Sequence, residues 1–216
     1  MFTIWGMPKS IRVDNGKPLG DPQRKSITIL GLWLEGLGIK VIYNRPRRPT
    51  DNAKVERMQQ TTKNWAAIKM CKNQKQLKEQ LEAVIEIQRE HYKVTRLKGK
   101  TRIEAFPEIL DNPRKYSEDL FDIQKVYLEL SKWKFVRRIS SQGHFCLYDQ
   151  VYYLGKKHVG QNISIKFNPE FICWQVSNSK GDSIASIPTD FFSVESIKNL
   201  TVSQRTFHRK GQTKED

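Results

Sequence analysis

The chain is short of several things, and each shortage removes a class of function. Among its 216 residues are three cysteines, Cys71, Cys146 and Cys173. No two form a Cys-x-x-Cys pair and none has a histidine at ligand spacing, so neither a disulfide framework nor a zinc site is expected. Such sparse thiols suit a reducing, intracellular setting. The histidines, His91, His144, His158 and His208, are too dispersed to suggest a Ser/His/Asp or Cys/His group. No glycine-rich phosphate loop of the Walker kind is present. The longest apolar run, around Ile27 to Leu34, stops at Glu35, well short of the roughly 20 residues a membrane span needs. With no leader pattern either, no membrane partner and no export are expected.

Acids are scarce too: 23 Asp and Glu stand against 38 Lys and Arg, a formal net charge of +15. A surplus of that size makes a field suited to polyanions, of which DNA and RNA are the commonest inside cells. A basic surface that only keeps the chain soluble is the plainer reading. Against it, the cations cluster beside aromatics and carboxylates. Hydrophobic residues at 38% and aromatics at 10% are ordinary globular composition, enough for one large domain or two small ones.

Two textures follow one another along the chain. Ile11-Arg12-Val13 reads as a short strand stopped by Asp14-Asn15-Gly16. A polar loop is expected over Pro18–Ser26, a helix over Ile27–Gly36 and a second strand over Ile39–Tyr43, which together suggest an α/β layer. Arg45 to Pro49 holds too many prolines for regular structure. Helix restarts at Asp51 or Asn52, either able to cap it, with Ala53, Val55, Met58 and Trp65 as apolar positions. A further helix is predicted from about Gln74 to Tyr92, then a basic connection over Thr95–Pro107. Residues 111–126 read as a linker. Beyond Tyr127, short alternating runs at Lys132–Ile139, Phe145–Tyr148, Val151–Leu154, Ile163–Phe167, Ile172–Val176 and Ile184–Ile187 argue for a small all-β domain over 127–200. Residues 201–216 form a basic tail expected to be loose.

Two carboxylates sit where their direction is fixed locally. Asp14 ends a strand of the α/β layer, a place where sites usually form. Glu56 lies in the first turns of a helix that also carries Asn52, Gln59, Gln60 and Lys63 within one broad stripe, beside Lys54 and Arg57. Hard oxygen ligands of this kind hold magnesium, and cations beside them neutralise a phosphate. The plainer alternative is that Asp14 only makes a turn and Glu56 only pairs with Arg57 or Lys63. Arg45, Arg47 and Arg48 are candidate phosphate contacts, or else a stiff solvated loop. In Lys132–Arg138, alternation on a strand places Trp133, Phe135 and Arg137 on one face. The other face carries Lys132, Lys134, Val136 and Arg138, suited to backbone binding of DNA without regard to sequence.

Gly6-Met-Pro8, Ile11-Arg-Val-Asp14-Asn-Gly16, Leu37-Gly38-Ile39 and Arg45 through Lys54-Val55-Glu56-Arg57 together resemble the DDE transposase/integrase family, in its insertion-sequence branch. His91-Tyr92, Arg96, Gly99, Thr101 and Pro107 are similar to a later, degenerate stretch of the same family. The resemblance covers about residues 3–108. It implies an α/β plus all-β chain: a truncated ribonuclease H-like integrase core over 1–110, followed by a small SH3-like β-barrel. It further implies that Asp14 and Glu56 are the second and third catalytic, metal-binding acids of a Mg2+-dependent phosphodiester strand transfer on DNA. The family's first Asp would lie upstream of Met1, so the expectation is a chain inactive by itself, working as a homo-multimer or with a complementing transposase polypeptide. A non-catalytic DNA-binding remnant or regulator from a mobile element is the alternative. Two departures stand out: Asn52-Ala53 replaces the family's Asn-Gly, and the spacing from Asp14 to Glu56 is longer than usual, which places an insertion between Leu19 and Ser26.

Overall fold

The computed structural model describes residues 2–16, 18–21, 26–45, 47–112 and 114–198. A single-turn helix α1 (Phe2–Trp5) leads into strand β1 (Ser10–Val13) and a short antiparallel pair, β2 (Gly20–Asp21) with β3 (Ser26–Ile27). Helix α2 (Ile29–Gly36) is capped by Thr28, whose Oγ1 accepts from Gly31 N at 3.2 Å. Strand β4 (Lys40–Tyr43) then runs parallel to β1, in the register Ser10↔Lys40 to Val13↔Tyr43. The strand, helix, strand order expected from the sequence is therefore present, and α2 is its crossover. The tail read as loose, 201–216, lies outside the described residues, as does most of the presumed insertion.

A helical arm follows: α3 (Ala53–Trp65), α4 (Gln74–Glu86), a π turn (Ile87–His91) and α5 (Arg102–Ala105). The single helix expected to Tyr92 thus changes winding after Glu86, with Tyr92 N donating to Ile87 O, an i→i+5 bond, at 2.8 Å. Helix α5 opens on a full capping box between Thr101 and Glu104. No residue of α3 is buried, and Val55, Met58 and Trp65 keep 46%, 48% and 39% of their exposure. The expected apolar face of this helix exists, but among the described residues little covers it beyond an edge-on contact of Trp65 with Tyr92.

Helix α6 (Ile123–Ser131) precedes strands β5 (Lys134–Arg138), β6 (His144–Leu147), β7 (Gln150–Tyr153), β8 (Asn162–Asn168), β9 (Cys173–Ser177) and β10 (Ser183–Pro188), and α7 (Val194–Lys198). All six predicted strands form. Their arrangement differs from the closed SH3-like barrel expected. Hydrogen bonding among the described residues makes an open antiparallel sheet in the order β10-β9-β8-β5, with β6 and β7 a separate hairpin. The chain turns between β6 and β7 in two residues, Tyr148 and Asp149, both with positive φ, as a type I′ hairpin requires. Tyr148 is held there by ring contacts to Phe135, Trp174 and Phe192 and by its hydroxyl donating to Ile27 O at 2.9 Å.

One apolar core joins the two textures. Ile27 and Leu32 pack in the same buried cluster as Val126, Leu130, Phe135, Ile165, Trp174 and Phe192. The stretch read as a linker is fastened down: Met7 N donates to Arg114 O at 2.7 Å, Arg114 to Pro8 O at 2.6 Å, and Asp122 N to Gly36 O at 3.0 Å. Gly36 is required at that seam, since a Cβ there would run into the Phe121 ring. No helix among the described residues is long and apolar enough to cross a membrane.

Candidate nucleic-acid and metal site

The C-terminal ends of β1 and β4 are adjacent because the strands are parallel and in register. The residue after β1 is Asp14; those after β4 are Asn44 and Arg45. The two ends are stitched together: Asn44 N donates to Val13 O at 2.9 Å, and Asn15 Nδ2 to Asn44 O at 3.0 Å. Asp14 is exposed, and among the described residues its side chain accepts only the local bond to Oδ1 from Gly16 N at 3.2 Å.

Asp51 connects this edge to helix α3. It sits in a 3-10 turn, Pro49–Asp51, just before the helix. Its carboxylate accepts from Arg45 N at 3.1 Å, Arg45 Nε at 3.0 Å and Arg45 Nη2 at 2.7 Å, with Arg12 a further 3.8 Å ion-pair partner. The Arg45 hydrogen bonds, from guanidinium and then backbone, hold the Asp51 carboxyl far below the usual carboxylate range. Asp51 is therefore neither a cap nor an open ligand; it is the clamp that sets where α3 begins. Asn52 does not cap with its side chain either, and its Nδ2 instead donates to Glu56 Oε1 at 3.3 Å.

Glu56 is thus placed in the first turn of α3, exposed, and among the described residues no Lys or Arg pairs with it. The pairing with Arg57 or Lys63 that the plainer alternative required is absent there. The predicted cations divide. Arg45 is committed to Asp51, whereas Arg47 and Arg48 stay exposed on the loop, Arg47 at a positive φ of 59°. Lys54, Arg57, Gln59 and Lys63 are exposed along α3; Gln60 is exposed too, but its amide donates to Asn64 at 2.9 Å.

The second group of predicted residues lies on the C-terminal sheet. Phe135 is buried, and Lys134, Val136 and Arg138 are exposed, so the alternation read for this strand holds within β5. Lys132 is not part of it. It ends helix α6, and its Nζ donates to Glu129 Oε2 at 2.7 Å. Arg137, placed with the aromatic face, donates to Cys146 O at 3.0 Å and so ties β5 to β6. A residue missed by the sequence reading completes the outer face: Lys166 of β8 is the direct partner of Lys134 and is likewise exposed. Like charges directly opposite destabilise a sheet. The alternation of Ile163–Phe167 could have flagged Lys166 as outward-facing, but only the strand register reveals its partner. Asp51 also escaped notice as a clamp, although an acid inside an arginine run is itself a signal.

The two groups of cations are on different parts of the molecule, one at the edge of the parallel pair and one on the antiparallel sheet. Residues 37–98 match the family model described as Integrase core domain, a span that takes in β4, the arginine loop, Glu56 and the arm through the π turn, with Asp14 ahead of it. Over that span the chain is similar to the integrase core domain, in line with the resemblance to integrases and transposases of the DDE type read from its motifs.

Proposed function

We propose that this protein acts in DNA integration or transposition, binding DNA through its two basic surfaces and supplying Asp14 and Glu56 as ligands for a divalent ion, Mg2+ by donor chemistry. The observation that carries the reading is the contrast among three acids: Asp14 directly after β1, Asp51 in the turn before α3 and Glu56 in the first turn of α3. Asp51 is consumed by Arg45 and Arg12, while Asp14 and Glu56 are exposed, with no cation paired to either among the described residues. Hard carboxylate oxygens left open, with Arg47 and Arg48 exposed on the loop that leads to α3, fit a hard cation working on a phosphodiester. When bound, the ion would supply charge neutralisation at the phosphate and activation of an oxygen nucleophile. The chain's own part is to hold the two carboxylates on fixed elements and to seat the DNA backbone on Arg47, Arg48, Lys54, Arg57 and Lys63.

Strand transfer uses two ions, and two carboxylates do not ligate both. Among the described residues no third His, Cys, Asp or Glu joins this pair. Catalysis on this reading therefore requires ligands beyond these two carboxylates. The β5–β8 face, with Lys134, Lys166 and Arg138 exposed, supports DNA binding independently of the metal site.

The test is fluorescence anisotropy of a labelled duplex over a salt series. If six to ten phosphates are contacted, affinity should fall by roughly 10³–10⁵ between 50 and 200 mM salt. Asp14→Asn with Glu56→Gln should leave that binding intact while abolishing the Mg2+-dependent part of it. Absence of binding at low salt would sink the DNA reading. Unchanged Mg2+ dependence in the double variant would sink the metal assignment alone.

A further inference from the structure

We infer that Glu86, Glu90 and His91 form a second metal site, one for a borderline transition ion such as Zn2+, on the helical arm. One ligand atom from each, two carboxylate oxygens and an imidazole nitrogen, lies within 4.8 Å of the others. This is not a patch of acids: a nitrogen donor facing two oxygens is the mixed donor set that zinc and its neighbours take, with water able to complete four-coordination.

The π turn is what makes the set. In an α-helix at 3.6 residues per turn, Glu90 would lie near Glu86, but His91 would stand roughly 140° round the axis from it. A π turn closes on i→i+5 bonds and takes up an extra residue, so the fifth residue after Glu86 comes back over it. The winding changes at Ile87 and the helix ends after His91, with Tyr92 extended, so the third ligand is brought round within the π turn itself.

The backbone beneath is held firmly. Gln88 is buried at 6% exposure, and its side chain exchanges hydrogen bonds with Thr62 of α3. Arg102 of α5 donates to Gln88 O. Arg89 lies 4.7 Å over the Trp5 ring and hydrogen-bonds Glu90. The Arg89 bonds all fall on Glu90 Oε1, which leaves Oε2 for an ion, whereas both oxygens of Asp51 are taken; ligating carboxylates are ordinarily oriented by such an outer hydrogen bond. Ligands fixed on a pinned turn lose little freedom on binding. A bound ion would lock the π turn and, through Gln88, the packing of α3, α4 and α5.

The experiment is titration calorimetry of the full chain with ZnCl2 in a non-coordinating buffer, in the Asp14→Asn, Glu56→Gln background so that the edge carboxylates cannot contribute. One equivalent should bind. His91→Ala and, separately, Glu86→Gln should each weaken it about tenfold or more, and the Zn2+-induced rise in melting temperature should vanish with it. Both substitutions are at exposed positions, and unchanged far-UV circular dichroism confirms folding. No saturable Zn2+ uptake, or uptake unaffected by both variants, overturns the site.

Discussion

The body and the arm of this protein are built on opposite terms. In the body, α2, α6 and the antiparallel sheet close over one core, with Leu32, Val126, Leu130, Ile165 and Trp174 all fully buried. In the arm, α3 buries nothing, and from Ala53 to Leu110 the buried side chains are Ala66, Val84, Gln88 and Thr101. The candidate chemistry is distributed the other way, with Glu56, Arg57 and Lys63 on the helix that contributes least to stability. A surface meant to meet a polyanion must stay solvated, so exposed helix and exposed function go together.

Stability should therefore respond steeply in one place and hardly at all in the other. Leu32→Ala, in the body, is expected to cost about 2–5 kcal/mol in urea unfolding. Because Leu32 comes from the N-terminal half and packs with C-terminal residues, the loss should appear in one cooperative transition. Val55→Ala, in the arm, should cost no more than about 0.5 kcal/mol, as at an ordinary surface position. Two separate transitions in the Leu32 variant would break the comparison by showing that the halves fold apart.

A smaller effect is expected at the joint between the regions. The Asp51 carboxyl is lowered by Arg45, so its contribution to stability is fully present above the ordinary Asp value, near pH 4, and is lost as pH falls towards the depressed folded value. Asp51→Asn should be less stable than the parent at pH 7, with the gap closing below about pH 4. Glu35 runs the other way. Burial raises its carboxyl despite the bond from Val41 N, so its ionisation costs stability as pH rises through the ordinary Glu value. Amide exchange of Arg45 to Glu56 in the Asp51 variant localises the first effect: acceleration confined to that stretch sharpens the idea of a clamp, and none removes it.

How much of this could be read from the residues depends on the range of the interaction. Strands and helices set by local alternation, such as Lys40–Tyr43 or Asn162–Asn168, were legible to within a few residues. So was the placement of Asp14 after a strand and Glu56 in the first turn of a helix. What could not be read was pairing. The seating of Asn112 and Arg114 against residues 5–8 depends on contacts some hundred residues apart, which is why 111–126 looked like a free linker. Tyr148-Asp149 offers a turn residue in Asp149 but not the glycine of the usual two-residue hairpin; tertiary packing of the Tyr148 ring holds its positive φ. The Glu86–His91 convergence was hidden too, since a helical wheel drawn with an α period puts His91 on the wrong face.

The mildest change should come from the sheet, and with a sign that separates function from fold. Lys134 and Lys166 are direct cross-strand partners on the exposed face, and among the described residues neither finds an acid. Replacing both by Ala relieves a like-charge contact, so stability should stay level or rise, by up to about 1 kcal/mol. If the face holds phosphates, the same variant should lose DNA affinity at low salt and flatten the salt dependence by about one unit of slope per lysine. A core strand maintained for packing alone would show neither effect on binding. A gain in stability paired with a loss in binding would mean that the sheet keeps an unfavourable pair because a polyanion resolves it, and would assign the β5–β8 face to a surface that meets DNA.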